Sequence, residues 1–280
     1  MAVLELPRGY RADLTLRYLG RDSDSLCERV TGNVIETADV RVILSPAEGE
    51  GPSRARRGRS FAVFATQDDT PDLARARKLL GLNLDPSPFE RAHPTLTKPH
   101  RGAHLPQTAT VWESLMWAIV GQQVNLTFAY KLRRVLVELC GEEARNGLRR
   151  HPAPERVAML DYAALTQRQF SLSKARYVID TARLIAEGKL DLETFPSRDP
   201  SEVEEMLTSV RGIGTWTANY VMMRGCAFPD CVPAGDSALS ASLQTYFGLD
   251  HRPDAHETRT LMERFAPWRT LATYHFWLRK

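Results

Sequence analysis

The chain has 280 residues, 43% hydrophobic and 25% charged, with 37 Lys and Arg against 34 Asp and Glu and a net charge of +3. That balance belongs to a globular protein and excludes a disordered or membrane-embedded one, since no apolar run approaches the ~18 to 20 residues that span a bilayer. The length suits two domains, and the start M-A-V-L-E-L-P-R lacks the basic-then-apolar layout of a signal peptide, so a cytoplasmic location without membrane contact is expected.

From Arg11 to Gln67 the dominant period is two. Leu14, Leu16 and Tyr18 alternate with Thr15 and Arg17, Val40, Val42 and Leu44 alternate less cleanly, and Phe61 to Ala65 is a short apolar run, so antiparallel strands are expected. Pro46 to Arg59 reads as a Gly/Pro-rich hairpin tip whose four arginines are solvated rather than bound to a partner. Thr70 caps a helix begun by Pro71, with Leu73, Leu79 and Leu80 available to pack on the sheet. Sheet plus helix gives an α+β domain over residues 1–98, its last element closing near Pro94.

A Pro- and His-containing connector, Ala92 to Gln107, leads into residues 99–280, which read as all α. Thr110 and Glu113 make a capping box, and Val111, Trp112, Leu115, Met116, Ile119 and Val120 form a broad apolar face. Gly121-Gln122-Gln123 stops that helix, and Leu126 to Cys140 is the next, ending at Gly141. Further helices are expected over Ser173 to Ala186, Ser201 to Leu207 behind a Ser-x-x-Glu box, Thr215 to Arg224, Asp236 to Phe247, His256 to Phe265, and Thr270 to the end. The cysteines, Cys27, Cys140, Cys226 and Cys231, are scattered, and only the last two are close, without a second pair or a nearby His to hold zinc.

The organising stretch is Leu207 to Leu239. Gly212 and Gly214 flank Ile213 between two helical patterns, and Thr215 opens the second. A glycine turn feeding a helix N-terminus offers unpaired N–H donors and partial positive charge, which suits a phosphate oxygen. Arg211, Gly212, Gly214 and Thr215 are the candidates for that grip. A polar, Pro-containing loop follows, and Asp236 stands before Ser-Ala-Leu as an N-cap. A helix N-terminus favours the ionised carboxylate, so capping and catalysis are compatible in one residue.

The run G-I-G-T-W-T-A, followed by P-A-G-D with its Asp twenty positions after the Trp, resembles the helix-hairpin-helix DNA glycosylase superfamily. Within it the likeness is to the bacterial 3-methyladenine DNA glycosylase II (AlkA) type. The segment H-L-P-Q-T-A-T-V-W-E-S-L-M-W-A-I-V-G-Q-Q-V and the C-terminal Y-H-F-W extend it over the last two thirds of the chain. The resemblance implies a TATA-binding-protein-like N-terminal domain, a hairpin at about 201–224 and a loop over 229–239 that delivers a catalytic Asp236. It implies double-stranded DNA with damaged bases as the partner and a monomer.

An enzyme that acts on a base in duplex DNA must take it out of the stack, which costs a few kcal/mol. By position, the resemblance assigns the gap-filling role to Gln122 or Gln123, with Gln123 preferred; an apolar residue is usual there, and Gln departs from that. It assigns Trp216, Tyr220 and Trp277 to the base pocket, where an aromatic face attracts a cationic alkylated base. Relatives that also cut the strand carry Lys where this chain has Trp216, so a monofunctional hydrolase is implied, needing no catalytic cofactor. A monovalent or divalent cation on the backbone carbonyls of Thr208, Val210 and Gly212 is implied by resemblance alone. No Cys follows Cys231, so no iron-sulfur cluster is expected. Asp230, on the loop, reads as solvated surface. The residues leave two other readings open: a glycosylase for oxidised or deaminated bases, and a non-catalytic helix-hairpin-helix DNA-binding module.

Overall fold

β-Branched and aromatic residues in short runs set the N-terminal sheet. In the computed structural model, which describes residues 2–44, 60–65 and 73–279, the strands are β1 (Ala2–Glu5), β2 (Glu28–Thr31), β3 (Val34–Thr37), β4 (Val40–Leu44) and β5 (Ser60–Ala65). They pair antiparallel in the order β1-β5-β4-β3-β2. Ile35, Val40, Val42 and Leu44 face a small core completed by Tyr10, Ala12, Ala76 and Leu80. The last two come from α2 (Leu73–Leu79) and the residue after it. Leu73 itself is 38% exposed and takes no part. The expected cap at Thr70 and Pro71 and the arginine-rich Pro46 to Arg59 lie outside the described residues.

The stretch with Leu14, Leu16 and Tyr18 is not a strand. It is α1 (Ala12–Leu19), and it is wedged between two cores. Ala12, Leu16 and Leu19 lean on the sheet, while Leu14 and Tyr18 pack into the helical region. Only Asp13 and Arg17 are exposed, on one face, so a helical period is present too, and over eight residues the alternation is the misleading signal.

The other helices are α3 (Ser87–Ala92), α4 (Pro94–Thr97), α5 (Val111–Gly121), α6 (Leu126–Cys140), α7 (Pro154–Ala158), α8 (Tyr162–Thr166) and α9 (Leu172–Ala186). Then come α10 (Pro200–Thr208), α11 (Thr215–Arg224), α12 (Ser237–Phe247), α13 (Ala255–Met262) and α14 (Arg269–Trp277). The connector expected from Ala92 to Gln107 thus contains a short helix. Leu84, Phe89 and Leu96 share a core with Leu239, Leu243, Met262 and Phe276, so this N-terminal stretch packs with the C-terminal helices rather than with the sheet. Among the described residues no helix is long and apolar enough to cross a membrane.

Caps explain most helix starts. Thr110 accepts the Glu113 N–H at 3.1 Å, but Glu113 answers to the Ala109 N–H, so the box closes one residue early. Helix α10 starts not at the Ser-x-x-Glu pattern but at Asp199, which accepts from Ser201 N–H at 2.8 Å, with Pro200 in the first turn.

Two helical cores result, one around α5, α6, α9 and α11 and the other around α3, α4 and α12 to α14. Trp277 packs against both. The seam where they meet carries the site.

Candidate active site

Glycine chemistry divides unequally over the hairpin. Gly212 has φ +91°, and a Cβ there would lie 2.3 Å from the ring of Tyr177 on α9. Its missing side chain makes room for that ring, so the turn is locked by packing. A Cβ at Gly214 would meet nothing within 4 Å, and Gly214 is the N-cap of α11. The open approach to the first-turn N–H groups of that helix lies over Gly214, as anion binding requires. Arg211 and Thr215 are both exposed beside it. The Arg259 guanidinium, from α13, donates to Thr215 Oγ1 at 3.3 Å and adds a cation that the sequence did not flag.

Asp236 is the N-cap of α12 and accepts from the backbone N–H groups of Ala238 at 3.0 Å and Leu239 at 2.8 Å, both through Oδ1. The Trp277 indole N–H donates to the same oxygen at 3.1 Å, and the Trp216 indole N–H approaches Oδ2 at 3.4 Å. Oδ2 is therefore the less committed oxygen. The loop that delivers Asp236 is fixed from two sides: Thr270 Oγ1 donates to Phe228 O at 2.7 Å and accepts from Cys231 N–H, and Asn219 Oδ1 accepts from Val232 N–H at 3.0 Å. Asp230 is partly exposed but not merely solvated surface. It forms a two-pronged pair with Arg269, 2.7 Å on each side, and ties the loop to the start of α14.

Trp216 and Tyr220, one turn apart on α11, stack at 5.6 Å and 28°, and Tyr220 stands 6.1 Å from Trp277. All three line an open cleft of about 1190 Å³ together with Asp236, Gly212 and Gly214. Asp236 is half-buried, and among the described lining residues it is the only carboxylate. No lysine lines the cleft among them either. Tyr220 is 7% exposed and burial pushes its phenol well up, while the buried Arg224 donates to its oxygen at 3.1 Å. Burial pulls Arg224 down to about 10. Tyr18 and Arg21, from α1 and the turn after it, also line the cleft, so the N-terminal domain contributes to the wall.

The two glutamines separate. Gln122 Nε2 donates to Gly212 O and to Thr217 Oγ1, both at 2.9 Å, so its side chain ties the end of α5 to the hairpin. Gln123 is exposed on the cleft with φ +55°. Of the pair only Gln123 is free to project. Lys174, on α9, holds the backbone beneath them through the carbonyls of Ile119, Val120 and Gln122.

Two of the carbonyls expected to face a cation each accept one hydrogen bond, which leaves each a second lone pair. Gly212 O already accepts from Gln122, and Val210 O accepts from Ile213 N–H at 3.0 Å.

Arg259, Asn219, Thr270 and Lys174 were not legible in the sequence, because each acts across 13 or more residues; only Arg224, four positions from Tyr220, carried a local spacing signal.

A family model described as HhH-GPD superfamily base excision DNA repair protein matches residues 116–267. The Bacillus subtilis protein YfjP is 36% identical over 178 residues, 64% of this chain and 62% of its own length. A DNA-3-methyladenine glycosylase of the same organism is 29% identical over 296 residues, covering 98% of this chain and 95% of that protein. A solved 3-methyladenine DNA glycosylase from Archaeoglobus fulgidus superposes with a TM-score of 0.80 over 99% of this chain and 97% of its own, at 23% identity, and so supports the fold. With the glycine hairpin, the capped Asp236 and the aromatic cleft in one place, and the family model spanning the hairpin, Asp236, Trp216 and Tyr220, this chain belongs to the HhH-GPD superfamily of base excision DNA repair proteins.

Proposed function

We propose that the protein is a monofunctional DNA glycosylase that acts in the cytoplasm on duplex DNA, flips out alkylated bases of the 3-methyladenine and 7-methylguanine class, and hydrolyses the N-glycosidic bond. The observation that carries this is Asp236, half-buried in the aromatic cleft beside the hairpin, with Oδ1 saturated by three N–H donors and Oδ2 left nearly free. A fixed carboxylate suits the positive charge that develops on the deoxyribose as the bond breaks, and Oδ2 can orient the attacking water. Because its hydrogen bonds are preformed, little reorganisation opposes that stabilisation.

Three steps divide among three elements. The Gly214 end of α11, with Arg211, Thr215 and Arg259, holds a backbone phosphate and positions the strand without reading sequence. Gln123 enters the gap. Trp216, Tyr220 and Trp277 take the extruded base, and their π faces favour one that carries positive charge on its ring. An alkylated base leaves neutral, so a second protein acid is not required. A single chain supplies every residue named, which supports a monomer as the working unit.

Any cation bound at Thr208, Val210 and Gly212 would be structural and takes no part in these steps.

The test is release of free base from a duplex treated with a methylating agent, beside duplexes with one oxidised or one deaminated base. Methylated bases should be released, the abasic strand should stay intact, and borohydride should trap no covalent complex. A borohydride-stable complex would sink the monofunctional assignment, and binding without release of any base would leave only a DNA-binding module.

A further inference from the structure

Lys174 occupies an unfavourable place. It lies in the first turn of α9, whose N-cap Ser171 accepts the Lys174 N–H at 3.2 Å, and it is only 9% exposed. A cation there loses its water and faces the positive end of a helix dipole. Burial pulls its pKa down to about 8. The end of α5 offsets both costs. The ammonium lies 2.7 Å from Val120 O, 2.8 Å from Gln122 O and 3.2 Å from Ile119 O, three acceptors for three donors. Ile119 O and Val120 O are last-turn carbonyls at the negative end of the α5 dipole, and Ile119 O accepts the Gln122 N–H at 3.3 Å besides.

The residue just past this clamp is Gln123, exposed and held at φ +55°, a shape that residues other than glycine rarely adopt. On its other side the Gln122 side chain is bonded to Gly212 and Thr217 of the hairpin. The turn is thus pinned from below by Lys174 and from beside by the element that grips phosphate. A turn pinned in this way loses little freedom when it enters a duplex, whereas a loose one would have to be ordered at that moment.

We propose that Lys174 is a positioning residue for base flipping: it clamps the end of α5 so that Gln123 is presented preformed to the gap left by the extruded nucleotide. Lys174 touches neither base nor sugar. This rests on the glycosylase reading of the cleft, and it predicts that the residue matters only where a paired base must be displaced.

The test compares wild type, Lys174→Met and Lys174→Arg in single-turnover base release at saturating enzyme. One duplex carries the alkylated base opposite its normal partner, and the other carries the same lesion opposite an abasic site, where little pairing opposes extrusion. Lys174→Met should be 10- to 100-fold slower on the paired lesion and within about threefold of wild type on the unpaired one, with Lys174→Arg between. Equal loss on both duplexes, or loss on neither, overturns the proposal. A second readout needs no chemistry: 2-aminopurine beside the lesion should brighten with wild type and much less with Lys174→Met. Brightening by wild type without base release would remove the glycosylase reading and leave the clamp standing. Equal brightening by both proteins, or none by either, would overturn the clamp.

Discussion

The Trp277 indole N–H points at Asp236 Oδ1 across 3.1 Å, joining the last turn of α14 to the N-cap of α12. A side chain expected only to line the pocket also orients the carboxylate. Trp277→Phe keeps a ring on Tyr220 but deletes the donor. A hydrogen bond to a charged group is worth ~1.5–3 kcal/mol, so base release should slow by roughly ten- to a hundredfold while DNA affinity stays within about threefold. A matching loss of affinity would show that Trp277 acts through the pocket instead.

The hairpin glycines should respond differently. Gly212→Ala drives a methyl into Tyr177 at a backbone angle of +91°, so overpacking and left-handed strain together should lower stability by ~2–4 kcal/mol, read as a urea midpoint. Gly214→Val, whose Cβ meets no neighbour, should lower stability by no more than about 1 kcal/mol for the poorer N-cap, yet weaken binding to every duplex sequence about equally. A sequence-selective loss would contradict the phosphate grip.

A buried charge cluster joins the domains. Arg133 on α6 donates to both oxygens of Glu28 on β2, at 2.8 and 3.0 Å, and lies 3.8 Å from Glu113 on α5, whose carboxyl is pushed up by burial. Arg133→Met leaves two buried acids without their cation and should cost ~3–5 kcal/mol, with partial recovery in Arg133→Met/Glu28→Leu. No recovery in a double-mutant cycle would deny the coupling.

Acid should destabilise the fold through buried histidines. Burial holds His275 down at about 3, His151 well below its ordinary value and His104 lower as well. As pH falls through about 6.5 the unfolded chain takes up protons that the native chain refuses, so stability is full above that pH and declines below it. The slope reaches up to ~1.4 kcal/mol per pH unit for each histidine. The melting temperature should drop between pH 7 and pH 5, and His275→Phe should make the drop shallower. An unchanged slope would place the proton uptake elsewhere.

The hairpin, Asp236 and the α5 to α6 break were legible because local chemistry writes them: glycines where a Cβ has no room or no business, an N-cap oxygen, a capped start after each stop. The nature of α1 was not, because over eight residues the alternation of Leu14, Leu16 and Tyr18 with Thr15 and Arg17 competes with a helical pattern in which only Asp13 and Arg17 stay exposed. The starts that slipped, Asp199 for Ser201 above all, slipped where two capping patterns overlap within three residues. Tertiary cations were illegible for a different reason. Lys174, Arg224 and Arg133 read as surface helix residues, and only the fold supplies the carbonyls, phenol and carboxylates that let them be buried.

All of this converges on one oxygen pair. The most direct trial is single-turnover release of methylated base by Asp236→Asn, which keeps the cap geometry but removes the charge, with affinity for the same duplex measured alongside. Binding should stay like that of the wild type while release slows by roughly a hundredfold or more, the scale of losing a main electrostatic stabiliser. Release at the wild-type rate would contradict that role of Asp236.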